Sequence, residues 1–141
     1  MKNPEPKWAE TYHKVAFYEL DPVQIVWHGN YLNYFEVART ALFNENGVEL
    51  YDFYVRQGIV FPIIRTTTKH ILPLRYHDEF ICRATAVDAR TKIVVDFEMR
   101  KAADGAICTR GRTEQVAVKA DTMEIIFAVP AEIRQALGFT S

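Results

Sequence analysis

The polar–apolar pattern is sharpest between Lys92 and Lys101. Ile93, Val95, Phe97 and Met99 alternate with Val94, Asp96, Glu98 and Arg100, the period-2 signature of a strand with one buried face. Earlier in the chain the period changes. Tyr31, Phe35, Ala38 and Leu42 fall at i, i+4, i+7 and i+11, which predicts an amphipathic helix running to Glu45, with Asn30 as N-cap. Asn46-Gly47 ends it, because glycine takes the left-handed conformation that closes a helix. Val48 to Gln57 predicts a shorter helix closed by Gly58.

The other segments read as strands. Tyr12 to Leu20 is aromatic and β-branched, and Pro22 stops it. Ile59 to Leu72 is a long extended run with an edge or bulge at Pro62, and Glu79 to Ala89 is another. Asp104-Gly105 marks a hairpin into Ile107 to Lys119. Met123 to Val129 adds a short strand, and Pro130 opens a terminal helix as its first residue. A run of strands with one segregated long helix predicts an α+β fold with an antiparallel sheet. A curved sheet wrapped around the helix would bury its apolar stripe.

Composition narrows the class. At 141 residues with 49% hydrophobic content the chain reads as one domain over 11–141, preceded by a flexible tail, 1–10. A formal net charge of −1 leaves no footprint for nucleic acid, and no apolar run reaches the length of a membrane span. The N-terminus carries no apolar signal-peptide core. The two cysteines, Cys82 and Cys108, sit in strands without a CxxC or Cys/His cluster and are expected as buried free thiols. No metal-ligand set or phosphate-binding glycine loop is present. A cytoplasmic location is expected.

The candidate chemistry lies in Leu20–Arg39, LDPVQIVWHGNYLNYFEVAR. Asp21 is followed seven positions later by His28, just before the long helix. An N-terminal helix end offers free backbone N–H groups to negative charge. Read locally, Asp21 before Pro22 is also an ordinary turn former.

This stretch resembles the hotdog-fold acyl-CoA thioesterases, in particular the 4-hydroxybenzoyl-CoA thioesterase family with its Tol–Pal-associated branch. The resemblance is carried by Asp21, Ile25-Val26, His28, Asn30-Tyr31 and Phe35-Glu36-x-Ala38-Arg39. Phe61-Pro62 and the later strands with Asp104-Gly105 extend it over Thr11 to Asp121. It implies a hotdog fold, with five or six antiparallel strands around one central helix, and hydrolysis of acyl-CoA thioesters without a cofactor. Asp21 would be the general base or nucleophile, and His28 the polarising or orienting group. A backbone N–H at the helix start would hold the oxyanion. Glu36 would be a buried orienting carboxylate, where the local spacing alone reads as an i, i+3 helix ion pair with Arg39. Trp27 and Tyr31 would line the acyl pocket. Lys69, Arg75, Arg90 and Lys92 would hold coenzyme A phosphates. His13, His70 and His77 read as surface or structural residues.

One departure stands out. Family members commonly carry glycine three residues after the Asp, where this chain has Gln24, whose amide is expected to point into the site. The resemblance also implies a homodimer or homotetramer with the site at its interface, acting on coenzyme A or acyl-carrier-protein thioesters. Two alternatives are a hotdog enoyl-CoA hydratase or dehydratase, which would carry an Asp-x-Asn-Pro element, and a non-catalytic acyl-CoA or carrier-protein binding module.

Overall fold

The computed structural model describes residues 5–140; residues 1–4 of the expected tail lie outside that range. In chain order it contains β1 (Trp8–Lys14), a 3-10 turn (Phe17–Glu19), α1 (Asn30–Glu45), α2 (Leu50–Gln57), β2 (Ile59–Val60), β3 (Ile63–His70), β4 (Glu79–Asp88) and β5 (Ile93–Lys101). It continues with β6 (Ile107–Gln115), β7 (Ala117–Lys119), β8 (Ile125–Ile126) and α3 (Ala131–Ala136). The main sheet is antiparallel, in the order β1-β4-β5-β6-β3, and β2, β7 and β8 form a second, smaller sheet. This is the α+β hotdog arrangement, with five strands in the main sheet.

The helix stripe is buried as its spacing dictates. Tyr31, Phe35, Ala38 and Leu42 face the core, and Tyr34 and Phe43 join them. Opposite them, Ile93, Val95, Phe97 and Met99 are all buried. Phe35 stacks on Phe97 with centroids 4.4 Å apart. Burying a side chain of this size contributes roughly 1.5–3 kcal/mol, so each of these residues adds appreciably to the core between helix and sheet. The sheet's outer face is polar: Arg112 pairs with Asp96, Arg83 with Glu10 and Lys92 with Glu114.

Several boundaries differ from expectation. The first strand lies earlier, at Trp8–Lys14, and pairs with β4 from Trp8↔Thr85 to Lys14↔Glu79. Trp8 to Glu10, assigned to the tail, therefore belong to the sheet. Phe17 to Glu19 turn instead of extending, because the Glu19 carboxylate accepts the Ala16 N–H at 2.8 Å. Asn30 is already helical and Gly29 is the N-cap; the Asn30 amide bonds elsewhere. Glu49 caps α2 by accepting the Tyr51 N–H. Pro130 caps α3 rather than beginning it. The run from Ile59 divides at Pro62 and the run from Ile107 divides at Val116. The two residues are joined by Val116 N–H to Pro62 O at 3.3 Å, so both chains leave the main sheet for the small one at the same level. Gly47, Gly58 and Gly105 take positive φ where the turns require it. Both cysteines are buried and free.

Candidate active site

The loop between the 3-10 turn and α1 is a closed unit. Leu20 and Val26 form a β-bridge. Inside it the Asp21 N–H donates to Ile25 O at 2.8 Å and the Gln24 N–H to Asp21 O at 3.0 Å. One oxygen of the Asp21 carboxylate, Oδ1, accepts the Val23 N–H at 2.8 Å, an Asx turn of the kind Asp forms readily. Among the described residues nothing donates a hydrogen bond to its other oxygen. The turn closes through Gln24 at φ +70°, the left-handed region that glycine enters without penalty. That backbone demand explains the glycine common at this position in the resembling family. Gln24 itself is exposed and outside the cavity lining, so its contribution is to the backbone of the turn rather than an amide aimed at the site.

Asp21 and His28 open into one cavity of about 310 Å³, with Tyr31 and His70 as its other polar residues and Ile25, Val26 and residues 71–73 as its apolar wall. α1 supplies Tyr31 and β3 supplies His70; their rings meet edge to face at 4.5 Å. Partial desolvation, aided by His28, lowers the His70 pKa below the usual imidazole value, which favours the neutral ring. Burial raises the Tyr31 phenol above its usual value, so it stays protonated. At the start of α1 the Asn30 and Tyr31 N–H groups turn back to Trp27 O and His28 O. The His28 and Gly29 N–H groups have no hydrogen-bond partner among the described residues. Free N–H groups at a helix N-terminus form a setting that stabilises developing negative charge; His28 shares the cavity with Asp21, and Gly29 follows it at the helix cap.

Trp27 lies over Gly29: a Cβ built there would come within 2.3 Å of the indole. Trp27 is half exposed and sits at the rim rather than in the cavity wall. Glu36 is exposed, not buried, and ion-pairs with the buried Arg39. Arg39 also donates to Thr113 Oγ1 at 3.0 Å, and burial lowers its pKa to about 10, which leaves it cationic at neutral pH. Glu36 and Arg39 line a different cavity of about 460 Å³ with Ile63 and Gln115. The four basic candidates are not gathered together. Lys69 points to the outer face of β3, and Arg90 and Lys92 pair with Asp88 and Glu114 at the β4–β5 end. Arg75 lies two residues beyond the cavity wall, after the buried Leu74. A larger hollow, about 740 Å³, lies on the outer sheet face among Arg83, Asp96, Glu98, Arg110 and Arg112. Its carboxylates are already paired with arginines.

His70 is the site residue that sequence reading missed. β3 is polar on both faces, IIRTTTKH, so no alternation showed which of its residues face the helix. Pairing shows it. Thr68 opposes Gly111 and His70 opposes Thr109, and Gly111 sits under Phe35 of α1.

The chain also matches known proteins in family and fold. A family model for the thioesterase-like superfamily matches residues 15–137. YneP of Bacillus subtilis (strain 168), provisionally named as an acyl-CoA thioesterase, is 36% identical over 63 residues, 45% of each chain. An esterase, also provisionally named, from Synechocystis sp. (strain ATCC 27184 / PCC 6803 / Kazusa) is 35% identical over 81 residues, 57% of this chain and 45% of that one. These alignments thus span less than half the length of either relative. Among solved structures, the DHNA-CoA thioesterase of Staphylococcus aureus superposes with a TM-score of 0.78 at 26% identity, covering 85% of this chain and 80% of that one. The 4-hydroxybenzoyl-CoA thioesterase of Pseudomonas sp. strain CBS-3 shares the fold, with a TM-score of 0.79 at 20% identity, covering 92% and 99%.

Proposed function

The chain belongs to the thioesterase-like superfamily, and from that premise we propose that it hydrolyses acyl-CoA thioesters to the free acid and coenzyme A. The observation that carries this reading is the shared cavity of Asp21 and His28 at the N-terminus of α1. Asp21 acts as general base or as nucleophile. As base, its carboxylate takes a proton from water while the water oxygen attacks the thioester carbon; the C–S bond then breaks and the departing thiolate is protonated. Such a base contributes roughly 10²–10⁴ in rate. The free His28 and Gly29 N–H groups receive the carbonyl oxygen as it gains charge, each worth about 10²–10³. His28 polarises the carbonyl or protonates the thiolate. Tyr31 packs the acyl group, Trp27 the rim, and Arg75 meets the phosphates at the mouth.

The working unit is a dimer. All eight residues of β3 are exposed at the sheet edge, a row of unpaired backbone groups that a second copy would satisfy. Antiparallel self-pairing sets the His70 end of one β3 beside the Ile63 end of the other. The Asp21 cavity of one copy then opens onto the Glu36–Arg39 cavity of its partner, and Glu36 can support the site from across the interface. Among the described residues no helix is long and apolar enough to cross a membrane, consistent with the cytoplasmic location we propose. Free-thiol release from short, long and aromatic acyl-CoA esters tests the reading. Turnover supports it; release of no thiol from any ester, including carrier-protein thioesters, would refute it.

A further inference from the structure

Glu19 joins three segments around the candidate base. Its Oε2 accepts the Tyr34 hydroxyl of α1 at 2.7 Å, and its Oε1 accepts the Ala16 N–H at 2.8 Å. Its backbone carbonyl accepts both the Trp27 N–H and the Asn30 side-chain amide, each at 2.9 Å. The Tyr34 and Asn30 bonds tie Glu19, at the start of the Asp21 loop, to the first turns of α1; the Trp27 bond brings the far end of the loop back to Glu19, and the Ala16 bond fixes the 3-10 turn. Tyr34 is itself fixed: it is buried, packs edge-on against Phe80 at 4.8 Å and lies 5.2 Å from the His13 ring. Burial and the Glu19 carboxylate hold the Tyr34 phenol well above its ordinary range, so it remains a donor.

We propose that Glu19, through its bond to Tyr34, is a positioning residue that sets the distance between the Asp21 carboxylate and the N-terminus of α1. This rests on the thioesterase reading, because that distance matters only if both ends act on one substrate. Glu19 itself does not line the cavity and touches no reacting atom. A misplacement near 1 Å of a reacting group can cost on the order of 10²-fold in rate, which is the scale a loosened loop would show.

The experiment compares Glu19→Ala, Glu19→Gln and Tyr34→Phe in the full chain. It uses the acyl-CoA ester that the unaltered protein turns over fastest, together with amide hydrogen exchange. Glu19→Ala should lower kcat by roughly 10–100-fold with KM within about twofold, and should speed exchange at Asp21 and Trp27 but not at Val95 or Phe97. Glutamine keeps an acceptor for the Ala16 N–H and offers its NH₂ to the Tyr34 oxygen, which can accept as well as donate. Glu19→Gln should therefore recover most of the loss, and Tyr34→Phe should fall between. Unchanged exchange at Asp21 and Trp27 in Glu19→Ala would overturn the inference even if no ester were hydrolysed. So would a kcat equal to that of the unaltered protein, or a KM effect with kcat unmoved. Absence of turnover in the unaltered protein, with exchange responding as expected, would instead overturn the thioesterase reading.

Discussion

Gly111 lies directly beneath Phe35: a Cβ added at Gly111 would come within 2.6 Å of the Phe35 ring and 3.1 Å of the Thr67 carbonyl. The missing side chain lets α1 settle onto the sheet closely enough for Phe35 to stack on Phe97. That contact fixes the height of the helix, and with it the place of its N-terminus beside Asp21. Gly111→Ala should force the helix outward and destabilise the protein by about 1–3 kcal/mol, the usual cost of overpacking a core. Chemical denaturation measures this directly; an unchanged midpoint would show that the helix has room to spare.

The turn at Gln24 gives the opposite sign. A non-glycine residue in the left-handed region costs roughly 1–2 kcal/mol, while glycine's extra freedom when unfolded returns about 0.4–1 kcal/mol of that gain. Gln24→Gly should therefore stabilise the chain by up to about 1.6 kcal/mol. A lower melting temperature would mean that the Gln24 side chain holds the turn in a way its backbone angle does not reveal.

Much of this was legible in the sequence, and the exceptions have physical causes. The β5 alternation and the α1 stripe could be read because each element buries one face and shows water the other. The Asp21-to-His28 spacing could be read because one short loop joins them. The first strand was misplaced because Phe17 and Tyr18 look like strand residues yet are exposed on a 3-10 turn, held by the side chain of Glu19. His70 was missed because β3 buries neither face within the single chain. The Glu36–Arg39 ion pair could be read from its i, i+3 spacing, but not which partner is buried: Arg39 takes the inner position and leaves Glu36 exposed.

The thiols should be inert in the folded state. Burial raises Cys82 to about 12 and shifts Cys108 upward as well, and only the thiolate reacts readily with alkylating agents. Iodoacetamide at pH 8 should leave both unlabelled in the native protein and label both in denaturant. Rapid native labelling of either would contradict their burial.

Acid should weaken the fold before the carboxylates titrate. Burial against Phe80 and Tyr34 lowers the pKa of His13 below the usual 6.5, with Glu19 opposing in part. His70 is lowered too. The unfolded chain then binds protons that the folded chain refuses, so stability is complete above about pH 6.5 and is lost as pH falls toward the lower folded values. Melting temperatures between pH 8 and 5 should fall with acid, and less steeply for His13→Asn. An equal or steeper fall in that variant would remove His13 from the explanation.

The most direct test of Asp21 as the working carboxylate is thiol release by Asp21→Asn beside the unaltered protein. Asparagine keeps the oxygen that accepts the Val23 N–H, so the turn, the fold and the assembly should survive. What is lost is the negative charge and its basicity. Turnover should fall by roughly 10²–10⁴ with substrate binding retained. Turnover that persists at the level of the unaltered protein in a correctly folded variant would contradict the assignment and shift the chemistry to His28 or His70.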